Sequence, residues 1–351
     1  MDVFLNKIGS ITRNIPLPHL VSLTDRIAAE AGTVLAVEVL AEKQVYNQIE
    51  LTTGRMATIM KGDLLGVCLG ERRALKGFVG TIPDHVEVGD IIHLLNMGGV
   101  AGHCTGGSYL EVGNPLPVKI LGGVLYQGQP AQISDFKKVP WADDLAIAAP
   151  LVLVSGTCMN VGKTVTACEL IKQFKAHGHR VAAGKLTGVS LARDMANMTD
   201  HGAVCAYDFT DAGLPSTTDP RTVLPVAKGI LNALDRARPD VIVIEMGDGL
   251  LGGYGVQAIL QDPQIQAATR AHVLCAHDPV GALGGKDVCD HFGLRIDLVA
   301  GPTTDNQVGT DFIQSELGLR TANAKMDGER LYELVQEALM ARLNDLSEVG
   351  A

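Results

Sequence analysis

Aromatic residues are scarce in this sequence, at 4%, so its cores must be built from Val, Leu, Ile and Ala. No stretch approaches the roughly 18 uninterrupted apolar residues of a membrane-spanning helix. The start, MDVFLNKIGS, lacks the apolar core of a secretory signal. Positive charge is not in excess either: 29 Lys and Arg stand against 39 Asp and Glu, a formal charge of −10, with no long basic run. A nucleic-acid surface needs clustered cations to displace counterions, and the sequence offers none. The 7 cysteines show no CxxC or paired spacing, which argues against a disulfide framework and for reduced thiols. The composition predicts a globular enzyme in the cytoplasm, with neither nucleic acid nor membrane as partner.

What is present falls into two parts with different patterning. Residues 33–125 read as short apolar runs (TVLAVEVL, DLLGVCLG, GFVGTIP, DIIHLLNM, PVKILGGVL) punctuated by Gly, Pro and Asp. Such a series of strands without intervening helices predicts a small barrel or sandwich. A helix is expected just before it, at 19–31. Residues 126–150 lose periodicity and gain Pro, Gln and Asp, which places the domain junction there. The expected domains are a β-rich one over 1–140, with no role assigned, and an α/β one over 141–351.

In the second part, strands are predicted at 151–155, 181–185, 241–245, 272–276 and 296–300. All are almost wholly apolar, as parallel strands covered on both faces are. Helical spacing links them. Ala167, Leu170, Ile171 and Phe174 share one face of 163–177, and Gly178 suits the stop. Ala227, Ile230, Leu231 and Leu234 do the same in 222–237, and Leu331, Leu334, Val335, Ala338 and Leu339 in 328–346. This alternation predicts a doubly wound, mostly parallel sheet.

The strand at 151–155 runs into Gly156, Thr157, Cys158, Met159, Asn160, Val161, Gly162, Lys163 and Thr164, with Val165 continuing into a helix. A phosphate-binding loop needs backbone N–H groups curving around the anion and a helix N-terminus aimed at it. It also needs a Lys that reaches the outer phosphates, then a hydroxyl for Mg²⁺. All of these are offered here. The departure is that G-x-x-x-x-G-K-[ST] wants glycine where Thr157 stands, and the glycine comes one place earlier.

GTCMNVGKTVTA resembles the G-T-x-x-x-V-G-K-T loop of dethiobiotin synthetase and the cobyrinic acid a,c-diamide synthases, in which the Gly-Thr opening is normal. These belong to a P-loop class that includes septum-site and nitrogenase-iron-protein ATPases. The dimerising ATPases of that class carry a second loop lysine where this chain has Cys158. The resemblance spans 151–310 and implies ATP and Mg²⁺ as cofactors. It implies that Lys163, and Lys185 in RVAAGKLTG, stabilise a transferring phosphoryl group. It implies that Thr164, Asp208 and Glu245 hold the metal, with Asp200 and Asp211 as rivals to Asp208. Glu245 opens EMGDGLLGGYG, similar to the family's V-E-G-x-G-G. Gly247, Asp248 and Gly249, with Thr187 and Gly188, would then seat the substrate. Asp248 stands where the family has a small residue, which points to a cationic or amine-bearing substrate or a further metal ligand. In GPTTDNQVG the resemblance puts Asn306, and Asp305 beside it, on the nucleotide base. It also implies a homo-oligomer.

Three functional readings follow. In the first, an ATP-dependent ligase activates a carboxylate as an acyl phosphate and an amine captures it, forming an amide or ring; a simple kinase would use the same parts. In the second, GKLTG and E-x-G-D-G resemble P-loop D-amino-acid N-acetyltransferases, and the loop holds acetyl-CoA. In the third, the chain is a regulatory NTPase.

Overall fold

The structure, a computed structural model, describes residues 1–349. Contacts divide the chain into two compact units. The first comprises Met1–Pro140 with two later segments, Val189–Arg193 and Phe209–Thr218; the second is the rest of the chain from Trp141 onward.

The first unit is built on strands that close on themselves. Val34–Val39 pairs antiparallel with Leu64–Leu69, which pairs parallel with Val100–Gly107. Val100–Gly107 pairs with Ile91–Leu94, and that strand with Leu116–Tyr126, which returns to Val34–Val39. The circuit makes a small barrel, the closed alternative among the two expected. Alternation fills it: Leu35, Val37 and Val39 join Leu65, Val67 and Leu69 in one buried cluster with Val118 and Ile120. The helix expected at 19–31 is absent. Leu20–Thr24 is a strand, with Val21 and Leu23 buried and their neighbours facing outward. The period there is 2, not 3.6, and pairing with Leu116–Tyr126 fixes it.

The second unit holds a seven-stranded sheet with every pair parallel. Its order is Cys205–Asp208, Val181–Lys185, Val241–Glu245, Leu151–Gly156, Thr269–Cys275, Leu298–Ala300, Arg320–Thr321. Both faces are covered. Val241 and Val243 pack in a cluster with Leu170, Ile171 and Phe174 of the helix Lys163–Ala176 and with Leu331 and Val335 of Gly328–Val349. On the opposite parity, Gly184 lies against Ile244 and Leu234, the latter from the helix Pro220–Asp235. Each buried Val, Leu or Ile contributes about 1.5–3 kcal/mol, so these two layers fix the register of the strand ends. Among the described residues no helix is long and apolar enough to cross a membrane.

Candidate phosphate-binding site

Register brings the chemistry together. Lys185 sits opposite Asp208 on one side and Glu245 on the other, and Glu245 sits opposite Val154 at the end of the loop strand. Three charged residues therefore line up across the carboxyl ends of adjacent parallel strands, the edge at which open α/β sheets bind ligands.

The loop between Gly156 and Lys163 carries two positive-φ residues, Asn160 (φ 62°) and Gly162 (φ 89°), which turn it into the helix Lys163–Ala176. Gly156 explains the displaced glycine. A Cβ there would stand 2.6 Å from Val161 Cγ2 and 2.9 Å from the Lys163 stem, so the lysine crosses over it. The next position has no such constraint: the Thr157 side chain lies toward Gly281 and Gly285 of the helix Pro279–His291. The loop thus needs its first glycine under the lysine.

A cavity of about 440 Å³ opens over this loop. Met159, Asn160, Gly162, Lys163, Thr164 and Val165 form one wall, and Lys185, Glu245, Gly247 and Asp248 the floor. Gly156, Thr157, Cys158 and Val161, expected around the phosphate, do not face the cavity; Val161 is fully buried and carries the loop's packing. Lys163 is buried, and its Nζ donates to the Cys158 carbonyl at 2.7 Å. Burial lowers its pKa, opposed chiefly by Glu245.

The metal expectation can be tested on the donors. The Thr164 hydroxyl donates to Glu245 Oε1 at 2.9 Å, while Glu245 Oε2 is buried without a hydrogen-bond partner. Mg²⁺ takes oxygen ligands, one or two of them carboxylate, and keeps waters and phosphate oxygens for the rest. Thr164 and Glu245 fit that demand. Asp208 is buried beside Lys185 and does not line the cavity. No group of three or more His, Cys, Asp or Glu that could hold a metal occurs among the described residues. The rivals separate: Asp211 belongs to the first unit, and Asp200 ends the helix Ala192–Asp200.

Lys185 is held by two carboxylates, Asp194 Oδ2 at 2.5 Å and Glu245 Oε1 at 3.7 Å. Burial alone would lower its pKa, yet Glu245 and Asp194 outweigh it and the net shift is upward, which favours the ammonium. Asp194 is a site residue that sequence reasoning missed. It opens a helix in an Asp-rich stretch, and nothing local marks it as the partner of a distant lysine.

The 247–249 segment is packed tightly. A Cβ on Gly247 would fall 2.1 Å from the Thr187 carbonyl oxygen, and one on Gly249 2.6 Å from that of Thr157. The Thr187 hydroxyl donates to the Gly247 carbonyl at 2.8 Å. Of the residues expected to seat a substrate, Gly247 and Asp248 face the cavity; Thr187, Gly188 and Gly249 stand behind it.

The cavity ends against Gly301 and Pro302, which adjoin Gly162, and against Asp305, Asn323, Ala324 and Lys325. Asn306 is elsewhere: its side-chain oxygen accepts from Gly309 N–H and caps the helix Gln307–Glu316. The amide edge at this end is instead Asn323, whose Nδ2 donates to Asp305 Oδ1 at 2.8 Å. Asn323–Lys325 follows a two-residue strand too short to be read from the sequence.

The second unit therefore has a P-loop fold, with the loop, two lysines and Glu245 brought together. No family model matches the chain, and no curated protein matches its sequence. Among solved structures it is similar to the signal recognition particle receptor FtsY from Elizabethkingia anophelis in complex with GDP. That match has 15% identity over 59% of this chain and 69% of that one, with a TM-score of 0.40. The signal recognition particle 54 kDa protein from Aeropyrum pernix K1, in complex with GDP, gives 19% identity over 59% and 52%, with a TM-score of 0.37. A DUF1611 family protein from Anabaena variabilis gives 19% over 62% and 65%, with a TM-score of 0.38. At these scores none of them bears on the chemistry of the site.

Proposed function

We propose that the second unit binds a nucleoside triphosphate with Mg²⁺ and transfers its terminal phosphoryl group in small-molecule metabolism. The observation that carries this reading is Glu245 Oε2, buried without a partner beside the Thr164 hydroxyl. A buried carboxylate oxygen left unpaired is costly unless a cation comes to it. The acetyl-CoA reading requires no metal and leaves that oxygen unexplained.

Each residue then has a task. The amides of the loop and the N-terminus of the helix Lys163–Ala176 would cradle the phosphates. Lys163 would exchange the Cys158 carbonyl for a phosphate oxygen. Lys185, clamped by Asp194, would face charge developing on the transferring group. Thr164 and Glu245 would hold Mg²⁺, which supplies neutralisation of phosphate charge when bound. Asp305 and Asn323 would offer a carboxylate and an amide edge to the base, for which ATP is the proposed partner. The loop's likeness to dethiobiotin synthetase supports ligase-type or kinase chemistry, and a second copy of the chain as partner belongs to the same proposal.

A thermal-shift experiment on the intact chain and on Lys163→Ala tests it. ATP or GTP with Mg²⁺ should raise the melting temperature of the wild type and leave the variant unchanged. A shift produced by acetyl-CoA alone, and not by nucleotide with Mg²⁺, would replace this reading with the acyltransferase one.

A further inference from the structure

Lys185 reaches two carboxylates, and the one it keeps decides what is left for a metal. Its ammonium lies 2.5 Å from Asp194 Oδ2 and 3.7 Å from Glu245 Oε1, so the short contact is with Asp194. Asp194 stands in the first turn of the helix Ala192–Asp200, and whatever places that turn places the carboxylate. A helix leaves its first backbone N–H groups without partners, and a Ser, Thr, Asp or Asn just before it commonly accepts from one of them. Here that residue is Leu191, whose side chain has no acceptor. The N–H groups of Ala192 and Arg193 go instead to Glu50, at 2.6 Å to Oε2 and 2.9 Å to Oε1, across 142 and 143 residues of chain. Glu50 is completely buried, and Val189–Arg193 belongs to the same unit; Asp194 is the next residue along the chain. The segment is held a second time at Ser190, whose carbonyl accepts from Asn96 Nδ2 at 2.7 Å and leaves no room for a Cβ on Gly98.

We propose that Glu50 is a positioning residue for Lys185: it fixes the turn that carries Asp194, and Asp194 holds the ammonium away from Glu245. This rests on the nucleotide reading above for the work that Lys185 and Glu245 do. Two charge-assisted bonds from one carboxylate set both the height and the rotation of the turn. Without them the first turn of a helix of 9 residues frays. A displacement of about 1 Å then takes Asp194 out of hydrogen-bonding distance. Lys185 closes on Glu245 Oε1, the oxygen that accepts from Thr164. The proposed metal position loses its carboxylate to an ion pair, and the lysine loses its aim at the phosphoryl group. Glu50 itself touches neither nucleotide nor metal; its part is mechanical.

The test uses the intact protein with Asp194→Asn, Glu50→Gln and Ser10→Ala. Glu50→Gln leaves one oxygen for the two amides. Ser10→Ala removes a donor from Glu50 but keeps both amide bonds, so it controls for lost stability. Labelling of Lys185 by acetic anhydride, which needs the neutral amine, is followed by mass spectrometry from about pH 8 to 11 without nucleotide. Asp194 favours the ammonium, so Asp194→Asn should bring labelling in at a pH about one unit or more lower. Glu50→Gln should shift it in the same direction, and Ser10→Ala should match the wild type. Single-turnover hydrolysis of ATP or GTP with Mg²⁺ should be slowed about 10- to 100-fold in Glu50→Gln at unchanged nucleotide affinity. The double variant should be no slower than Asp194→Asn alone. Where Glu50→Gln does not fold, Glu50→Asp, one methylene short of the amides, takes its place. Labelling or hydrolysis in the Glu50 variant that follows the wild type, or an equal shift in Ser10→Ala, would overturn the proposal. If the wild type binds no nucleotide, the reading above falls and the labelling alone decides this one.

Discussion

Two buried glutamates, one in each unit, show how the same residue serves different ends. Glu50 of the barrel unit is completely buried, and both of its oxygens meet donors. It accepts from the Ser10 hydroxyl, from Ala192 N–H at 2.6 Å and from Arg193 N–H at 2.9 Å. Glu245 of the parallel sheet is 2% exposed, and one of its oxygens has no donor at all. Where both oxygens meet donors, the carboxylate is structural. Where lone pairs are left over at the mouth of a parallel sheet, the fold has given up stability to keep a site ready.

The contrast can be broken or sharpened by four substitutions. The largest effect is expected from Lys163→Ala, which should slow phosphoryl transfer about 100- to 1,000-fold, as loss of one oriented electrostatic group does; single-turnover kinetics measure it. Glu50→Ala should lower the unfolding free energy by roughly 3 kcal/mol, because it strands two amides and a hydroxyl. Urea denaturation of the intact chain checks this. Glu245→Gln should weaken Mg²⁺ binding about 10- to 100-fold, read by titrating the metal against bound nucleotide. Its effect on urea stability should be smaller than that of Glu50→Ala.

The smallest effect is a pH dependence. The folded pKa of Asp248 is raised by burial, so the folded state binds this proton more tightly than the unfolded chain does. Below about pH 4 the group is neutral in both states and has no effect. As pH rises through the raised value, a buried carboxylate is charged in place, only partly compensated by the Gly249 amide, Lys163 and the Gly253 amide, and stability is lost. Asp248→Asn has no such loss. Its melting temperature should match the wild type in acid and exceed it increasingly toward neutral pH.

The sequence showed the site where chemistry is written in consecutive residues. Gly156 through Thr164, Lys185 at a strand end and Glu245 before a glycine run each carry a local signature, and the parallel register delivers them together. The apolar strands and helix faces were legible because burial on both sides leaves few alternatives. Leu20–Thr24 was misread because its flanks offered apolar residues at both spacings, and only a cross-strand partner selects period 2. Asp194 and Asn323 were invisible for another reason. Their roles depend on Lys185 and Asp305, which are distant in sequence or held by a turn. Asn306 was assigned to the base because an Asn in a turn after a strand looks the same whether it caps a helix or meets a ligand.

The unfilled oxygen of Glu245 is the centre of the account, and Mn²⁺ in place of Mg²⁺ probes it most directly. Electron paramagnetic resonance of Mn²⁺ with the wild type should show the ion bound when a nucleoside triphosphate is present. It should show that signal lost in both Thr164→Val and Glu245→Gln. Tight nucleotide binding that ignores the metal, or Mn²⁺ binding that survives both substitutions, would contradict it.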